Sequence, residues 1–286
     1  MKLVSFKSRA TTGYGALVNG EVAVLSAQLP FPTLKTALPH LDELRRAVDS
    51  APTRLALSQL ELLPPIPDPG RIMCVGRNFK KAMHQMGLDF LEYPVLFARF
   101  PHSVVGHGEE IVRPTVSEQF DYEGELAVVI GRAGRHIRAE DALDHVAGYC
   151  CFNDGSIRDY QRHTSQDTPG KNFWRSGAAG PWLTTADEIA DPTRLTLTTR
   201  VNEKIVQQAT LDDLLFDVPH VISYLSGIYP LQPGDMIAMG TPLGVGLNAD
   251  PPRWLKPGDT VSVEIDGIGT LSNRVVDEAG LDLAAA

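Results

Sequence analysis

Three acids alternate with other residues in one short stretch and are followed at once by an apolar run. Residues 120–131 read FDYEGELAVVIG, in which Asp121, Glu123 and Glu125 stand at every second position. Because alternate residues of a β-strand point to the same face, this spacing predicts that the carboxylates share one side of the chain. The run at 126–130 is apolar on both faces, which predicts a buried strand. Carboxylates at the start of such a strand are partly buried as well, and they then require a compensating cation.

A further carboxylate stands at the end of another apolar strand. In the stretch CFNDGSIRD, Asp154 follows a strand that we predict at 147–153. Glu123, Glu125 and Asp154 offer only oxygen ligands, which suits Mg²⁺ or Mn²⁺, with Ca²⁺ as a further candidate. Three carboxylates carry more charge than a divalent ion, so a nearby cationic side chain is expected, and Lys171 in TPGKNF is a candidate. The alternative for the acidic pattern alone is a solvent-exposed strand face.

The chain divides into a small first unit and a larger second one. Residues 1–63 predict short strands and a helix, and the proline-rich stretch at 64–70 predicts a linker. Residues 71–286 are mostly strand-like, with a polar helix-like stretch at 79–88. The predicted fold class is therefore mixed and β-rich α+β, with a small N-terminal α+β domain. Strands in the second unit are predicted at 122–131, 147–153, 181–185, 195–201, 236–239 and 260–265.

Composition limits the functions that this chain can have. The formal net charge is −9 and no basic run offsets it, which argues against a nucleic-acid partner. No apolar run approaches the roughly 20 residues that span a bilayer, so we expect no membrane partner. The N-terminal MKLVSF does not resemble a signal peptide, and Cys74, Cys150 and Cys151 form no CxxC pair. A cytoplasmic protein with reduced cysteines is predicted.

A series of motifs across residues 70–275 resembles the fumarylacetoacetate hydrolase superfamily. The motifs occur in that family's order and read MCVGRNF, DYEGELAVVIGR, VAGYCCFNDGSIRDYQ, TPGKNF, GPW, LQPGDMIAMGTPLGVG and LKPGD. The resemblance implies a β-roll that carries the site, usually within a homodimer. It also implies a small-molecule carboxylic acid as the partner, either a 2-oxo acid or a 1,3-dicarbonyl carboxylic acid. Such an acid would react through a metal-stabilised enolate.

The resemblance implies roles for individual side chains. It assigns the metal to the two glutamates and the aspartate described above, and a lysine beside the metal to Lys171. Arg77 matches an anion-binding arginine, and Gln161 matches a glutamine that contacts substrate oxygens. Thr241 matches a threonine that holds a substrate carboxylate together with neighbouring backbone N–H groups. Asp121 is expected to orient the metal ligands.

The stretch after the GRN motif departs from the family's hydrolytic members. Those members carry a lid helix that reads N-Y-x-x-H-x-x-E, in which the His and the Glu activate the attacking water. Here the same frame reads NFKKAMHQ, so that Ala82 and Gln85 occupy the two positions. His84 is the nearest ionisable candidate for a replacement base. It lies about 200° around the helix from Ala82, which predicts a solvent-facing side chain.

Three functional hypotheses remain open on these residues. Family membership favours hydrolytic C–C bond cleavage, whereas the missing lid pair weakens that hypothesis, because water attack needs a general base. An oxaloacetate-type decarboxylase or a 2-hydroxymuconate-type isomerase is the alternative, since neither reaction needs an attacking water. A catalytically inactive protein that binds a metal or ligand is the further alternative.

Overall fold

β-Strands make up most of the regular structure in the computed structural model, which describes residues 1–9 and 11–281. The strands are β1 (Lys2–Lys7), β2 (Thr12–Val18), β3 (Glu21–Val24), β4 (Arg54–Ala56), β5 (Glu61–Leu62), β6 (Ile72–Gly76), β7 (Val95–Arg99), β8 (Val104–Val105), β9 (Ile111–Arg113), β10 (Phe120–Asp121), β11 (Gly124–Ile130), β12 (Val146–Asn153), β13 (Ser156–Ile157), β14 (Gly177–Thr185), β15 (Thr196–Val201), β16 (Lys204–Thr210), β17 (Met236–Ala238), β18 (Thr260–Ile265) and β19 (Gly269–Asp277). The helices are α1 (Leu34–Ala37), α2 (Leu41–Asp49), α3 (Lys80–Gln85), α4 (Arg158–Gln161), α5 (Thr168–Lys171) and α6 (Val218–Ile228). None of the helices within the described ranges has the length and the apolar character needed to cross a membrane.

A large mixed sheet of 12 strands forms the centre of the molecule. Its order is β4-β3-β2-β1-β14-β12-β11-β17-β6-β7, with β5 paired to β1 and β8 paired to β14. The strands β12 and β17 flank β11 and run antiparallel to it, whereas β6 runs parallel to β17. The N-terminal strands join this sheet through the antiparallel pairing of β1 with β14. The linker at 64–70 stays a prediction, and the sheet includes strands from both sides of it.

A second sheet covers one face of the first. Its order is β16-β15-β18-β19-β9. Leu126 and Val128 of β11 share a buried core with Val263 of this second sheet. On the opposite face of the large sheet, Ala127 packs in a separate core that includes Leu44 of α2. Both faces of β11 are covered, which explains why its residues 126–130 are apolar on both sides. The predicted β-rich fold is confirmed.

The acidic stretch at the start of β11 differs from the prediction of one continuous strand. The strand β11 begins only at Gly124, and Asp121 belongs to the separate short strand β10, which pairs with β13. The carboxylate of Asp121 accepts a hydrogen bond from the N–H of Tyr122 at 2.9 Å. A side chain that binds the adjacent backbone competes with the strand ladder, and this explains the break. Asp121 is thus separated from the face that carries Glu123 and Glu125.

The adjacent cysteines of β12 lie in different cores. Cys150 packs on the side of the large sheet that faces the N-terminal helices, and Cys151 packs on the side that faces the second sheet. Successive strand residues point to opposite faces, so the two sulfurs are directed apart. Together with Cys74, both are buried and free of disulfides. The interpretation of these residues as packing residues is confirmed, and their reduced state stays a prediction.

Candidate active site

Four strand ends meet at one edge of the large sheet and bring the predicted site residues together. Glu125 lies at the start of β11, and Asp154 directly follows β12. Thr241 follows β17, and Arg77 follows β6. Because β12 and β17 run antiparallel to β11, and β6 runs parallel to β17, the start of β11 and the ends of the other three strands share this edge. The backbone N–H of Asp154 also donates to the carbonyl of Glu123 at 2.8 Å.

A cavity of about 440 Å³ opens at this edge. Asp154 lies behind its wall and is fully buried. The structure thus brings the predicted metal and substrate residues to one place, with the exception of His84. Those that line the cavity are Arg77, Glu123, Glu125, Gln161, Lys171 and Thr241.

Three buried carboxylates form a candidate metal centre. Oxygen atoms of Glu123, Glu125 and Asp154 all lie within 4.8 Å of one another. Glu125 accepts a hydrogen bond from the N–H of Gly240 at 2.8 Å, and within the described residues no Lys or Arg forms an ion pair with it. Burial, together with repulsion from Asp154 and Glu123, raises the pKa of Glu125 well above its ordinary value. A buried carboxylate without a cationic partner, in an all-oxygen set, fits a hard divalent cation.

Two cationic side chains bind the other carboxylates of the centre. The Nζ atom of Lys171 lies 2.6 Å from both Glu123 Oε2 and Asp154 Oδ2. The guanidinium of Arg99 donates to Asp154 Oδ1 at 2.6 Å and is itself buried. Burial opposes the charge on Asp154, but Lys171 and Arg99 outweigh it and lower the pKa of Asp154. Burial likewise opposes the charge on Lys171, but Asp154 and Glu123 outweigh it and raise the pKa of Lys171.

A third cation, Arg158 of α4, links the centre to the substrate side of the cavity. Its guanidinium forms ion pairs with Asp121 Oδ2 at 2.8 Å and with Glu123 Oε1 at 2.7 Å. Its Nη1 donates to Gln161 Oε1 at 2.8 Å, and Gln161 Nε2 donates to Asp167 Oδ1 at 3.0 Å. Asp121 therefore acts on the centre through Arg158, which holds both a predicted metal ligand, Glu123, and the predicted substrate-binding glutamine.

With all four carboxylates ionised, the charges of this buried cluster do not cancel without a metal. Four carboxylates face three cationic groups, so a divalent cation would change the net charge from negative to positive. A positive net charge suits a ligand that carries a carboxylate. The carboxylates are Asp121, Glu123, Glu125 and Asp154, and the cationic groups are Arg99, Arg158 and Lys171.

Close packing of two short helices places Lys171. A Cβ atom at Gly170 would lie 2.5 Å from the Cβ of Gln161, so only glycine allows α5 to approach α4 this closely. Lys171 is the last residue of α5 and is buried. The Gly-Lys pair in TPGKNF is thus explained by packing as well as by charge.

The loop after β6 holds Arg77 in a left-handed backbone conformation, with φ of 55°. This conformation costs a non-glycine residue on the order of 1 kcal/mol. The neighbouring Asn78 fixes the loop, because its side chain donates to the carbonyls of Phe216 and Met239 and accepts from the N–H of Phe216. These bonds hold Arg77 at the cavity wall.

The hydroxyl of Thr241 is already engaged by the protein. It donates to the carbonyl of Gly124 at 3.0 Å and accepts from Gln207 Nε2 at 2.8 Å. A hydroxyl has a single proton to donate. In this conformation the side chain therefore cannot donate to a substrate carboxylate, in contrast to the role that the sequence resemblance implies.

The helix α3, predicted as the lid, presents Ala82, and not a histidine, to the cavity. His84 is exposed and borders a separate open depression together with Lys80, Lys81 and Phe90. The predicted direction of His84, away from Ala82 around the helix, agrees with this placement. Nothing in its position supports a role for His84 as the base for chemistry in the cavity.

Three residues of the site were not assigned a role from the sequence. Arg99 interrupts an apolar strand in LFARF, and a strand arginine in such a setting indicates a buried acidic partner. Arg158 precedes Gln161 by one helical turn, which places the two side chains on one face. Gln207, in KIVQQAT, carries no comparable signal, because its neighbour Gln208 has the same side chain.

The unpaired state of Glu125 leads to a prediction about pH. In the metal-free protein the raised pKa of Glu125 means that the folded state binds this proton more tightly than the unfolded state, whose pKa is near 4.5. Stability is then lost as the pH rises above 4.5 toward the folded-state pKa. We expect Glu125→Gln to melt higher than the wild type in the presence of a chelator, by a margin that grows with pH. Melting curves between pH 5 and 8 would test this, and an unchanged margin would contradict it.

The chain is similar in sequence to a known family and to named enzymes. The sequence model of the family described as Fumarylacetoacetate (FAA) hydrolase C-terminal matches residues 71–276. Oxaloacetate tautomerase YisK of Bacillus subtilis (strain 168) is 42% identical over 224 residues, which cover 77% of this chain and 74% of that protein. Oxaloacetate tautomerase FAHD2A, mitochondrial, of Homo sapiens is 36% identical over 288 residues, which cover 96% of this chain and 92% of that protein.

The fold is also similar to that of a solved enzyme structure with a metal. The crystal structure of maleylpyruvate hydrolase from Sphingobium sp. SYK-6, in complex with manganese(II) ion and pyruvate, superposes with a TM-score of 0.81 at 30% identity. The match covers 97% of this chain and 99% of that chain. By sequence and fold, the chain belongs to the fumarylacetoacetate hydrolase family.

Proposed function

We propose that this chain catalyses the divalent-metal-dependent keto–enol tautomerisation of a 2-oxo dicarboxylic acid such as oxaloacetate. The observation that carries this proposal is the composition of the cavity wall. Within the described residues no histidine lines the cavity, and Ala82 occupies the lid position where a water-activating histidine would stand. Tautomerisation consumes no water and breaks no C–C bond, so it needs no such base. The names of two relatives, both oxaloacetate tautomerases, support the same reaction.

Glu123, Glu125 and Asp154 would hold the metal, with Mg²⁺ or Mn²⁺ as the ion. The manganese in the structure of the related maleylpyruvate hydrolase supports this choice. When bound, the ion would supply positive charge beside the oxygen on C2 of the substrate. The fit rests on the pairing of these carboxylates, since Lys171 and Arg99 neutralise Asp154 whereas Glu125 has no cation of its own.

Lys171 is the residue that we propose as the proton carrier. Tautomerisation moves one proton between C3 and the oxygen on C2. The raised pKa of Lys171, which Asp154 and Glu123 maintain against the effect of burial, keeps Nζ protonated. Two of its N–H groups donate to Glu123 and Asp154, which leaves the third for the substrate. Lys171 can therefore give a proton to one position of the substrate and recover one from the other.

Two arginines account for the dicarboxylic acid in the proposal. Arg77 and Arg162 both line the cavity, and in the described part of the chain neither forms an ion pair with a carboxylate. Arg162 donates only to the neutral side chain of Gln119, at 2.8 Å. Guanidinium groups that have no carboxylate partner favour anionic ligands, and two of them in one cavity favour a ligand with two carboxylates.

The test is a tautomerase assay with the wild-type protein. Oxaloacetate enol is mixed with the metal-loaded protein, and the decay of the enol absorbance is followed while pyruvate formation is measured in parallel. We expect the protein loaded with Mn²⁺ or Mg²⁺ to accelerate the decay at least 10²-fold over the rate in buffer, which is about the contribution of one positioned proton carrier. A chelator should remove the acceleration. Cleavage of acylpyruvates, or pyruvate formation as fast as enol decay, would overturn the proposal in favour of a hydrolase or a decarboxylase.

The lid gives a second prediction, with a matched control. Ala82 lines the cavity, so the double variant Ala82→His plus Gln85→Glu should add a water-activating base and create measurable acylpyruvate hydrolysis. His84→Ala changes only the outer face of the same helix and should leave tautomerisation within about twofold of wild type. A loss of 10²-fold or more in His84→Ala would show that this histidine reaches the substrate.

A further inference from the structure

Gln207 is a buried polar residue on a strand that otherwise turns its polar side chains to solvent. It is 2% exposed, whereas its neighbour Gln208 on β16 is exposed. The Oε1 atom of Gln207 accepts from the N–H of Gly124 at 3.0 Å. Because that N–H can only donate, the orientation of the carboxamide is fixed. The Nε2 atom then donates to Thr241 Oγ1 at 2.8 Å and to the carbonyl of Pro242 at 2.9 Å.

These bonds join two segments that form different parts of the cavity wall. Gly124 lies between the proposed metal ligands Glu123 and Glu125, and Thr241 lies in the loop that follows β17. The hydroxyl of Thr241 donates back to the carbonyl of Gly124 at 3.0 Å and closes the arrangement. One carboxamide and one hydroxyl thus connect both backbone groups of Gly124 to the 241–242 loop.

The same loop lies directly against the strand that carries Gln207. Gly244 has φ of +104°, and a Cβ at this position would lie 1.9 Å from the carbonyl oxygen of Val206. The loop therefore has little freedom to move toward β16. The hydrogen bonds of Gln207 fix the position of this loop relative to Gly124 and the neighbouring metal ligands.

We propose that Gln207 is a positioning residue that acts through Thr241 to fix the distance between the metal-binding carboxylates and the 241–242 loop of the cavity wall. The ligand class is that of the proposed function, a 2-oxo acid bound beside the metal, and the inference rests on that proposal. Gln207 itself does not line the cavity. Its effect on ligand binding is therefore indirect. The effects of replacing Gln207 and of replacing Thr241 on ligand affinity should therefore not be additive.

The test measures oxalate binding by calorimetry to the Mn²⁺-loaded protein. Oxalate presents adjacent oxygens as a 2-oxo acid does but is not turned over. Gln207→Met should weaken oxalate binding about tenfold or more while Mn²⁺ affinity stays within threefold, because Lys171, Arg158 and Gly240 hold the carboxylates separately. Thr241→Val should weaken oxalate binding to a similar extent. The double variant should bind oxalate no more than about twofold more weakly than the weaker-binding single variant, because both changes break the same connection.

Gln208→Met is the matched control, one residue away on the same strand, and should bind oxalate within twofold of wild type. If Gln207→Met does not fold, Gln207→Asn keeps the amide but shortens its reach, and it should still lose several-fold in oxalate affinity. Wild-type affinity in either Gln207 variant would overturn the inference, and so would a double variant that loses the product of both single effects. A wild-type protein that binds Mn²⁺ but not oxalate would instead refute the proposed function, and the inference with it.

Discussion

The Asp154→Asn variant is expected to lose divalent-metal binding and, when metal-free, to be less stable than the wild type by about 3–5 kcal/mol. Asp154 is fully buried between Lys171 and Arg99, each 2.6 Å away. Asparagine has nearly the same shape but leaves these two buried cations without their shared carboxylate. The loss of one ligand charge also weakens the oxygen site for Mg²⁺ or Mn²⁺. Calorimetry with Mn²⁺ and urea unfolding with a chelator would measure the two effects.

The pH dependence of this difference follows from the lowered pKa of Asp154. The ionised carboxylate stabilises the folded state above the unfolded-state pKa of 3.8, and this contribution is lost as the pH falls through the lower folded-state pKa. The stability gap between wild type and Asp154→Asn should therefore shrink below pH 3.8. Asp141→Asn is the control, because Asp141 pairs with Arg138 on the surface and its loss should change little. Unchanged Mn²⁺ affinity in folded Asp154→Asn would refute the assignment of the metal centre.

The Lys171→Met variant is expected to lose about 10²- to 10⁴-fold in metal-dependent tautomerisation, the range for a positioned proton carrier. Methionine preserves much of the length of the side chain but holds no proton. Removal of a positive charge from beside Glu123 and Asp154 should at the same time leave Mn²⁺ affinity unchanged or increased. The opposite signs of these two effects separate a proton carrier from a residue that only maintains the fold.

Kinetics at saturating Mn²⁺ and calorimetry on the same preparation measure both quantities for Lys171→Met. The half-buried Lys80 lies outside the cavity wall and donates to the carbonyl of Asp212. It offers the control Lys80→Met, for which we expect kcat/KM within about twofold of wild type. A Lys171→Met enzyme with wild-type kcat would exclude the lysine as the proton carrier. A variant that loses Mn²⁺ binding would instead assign it a structural role in the centre.

The local pattern of the chain was enough to predict several parts of this protein. The apolar run at 126–130 predicted a strand buried on both faces, because periodicity directly reports which faces are covered. Glu123, Glu125 and Asp154 were predicted to share a cation, and they meet because they stand at strand ends on one sheet edge. Helical geometry likewise predicted that His84 turns away from the cavity.

Only the tertiary structure decided which groups compensate the buried charges. Arg99 and Arg158 reach the centre from other elements, and their partners are not neighbours in the sequence. Asp121 looked like a member of the alternating acids, but its bonds to Tyr122 and Arg158 end the strand and direct it elsewhere. Gln207 acquired its place only through β16 packing beside Gly124. Alternation and spacing determine which face of an element is buried, whereas the charges and hydrogen-bond partners on that face come from distant segments that folding brings together.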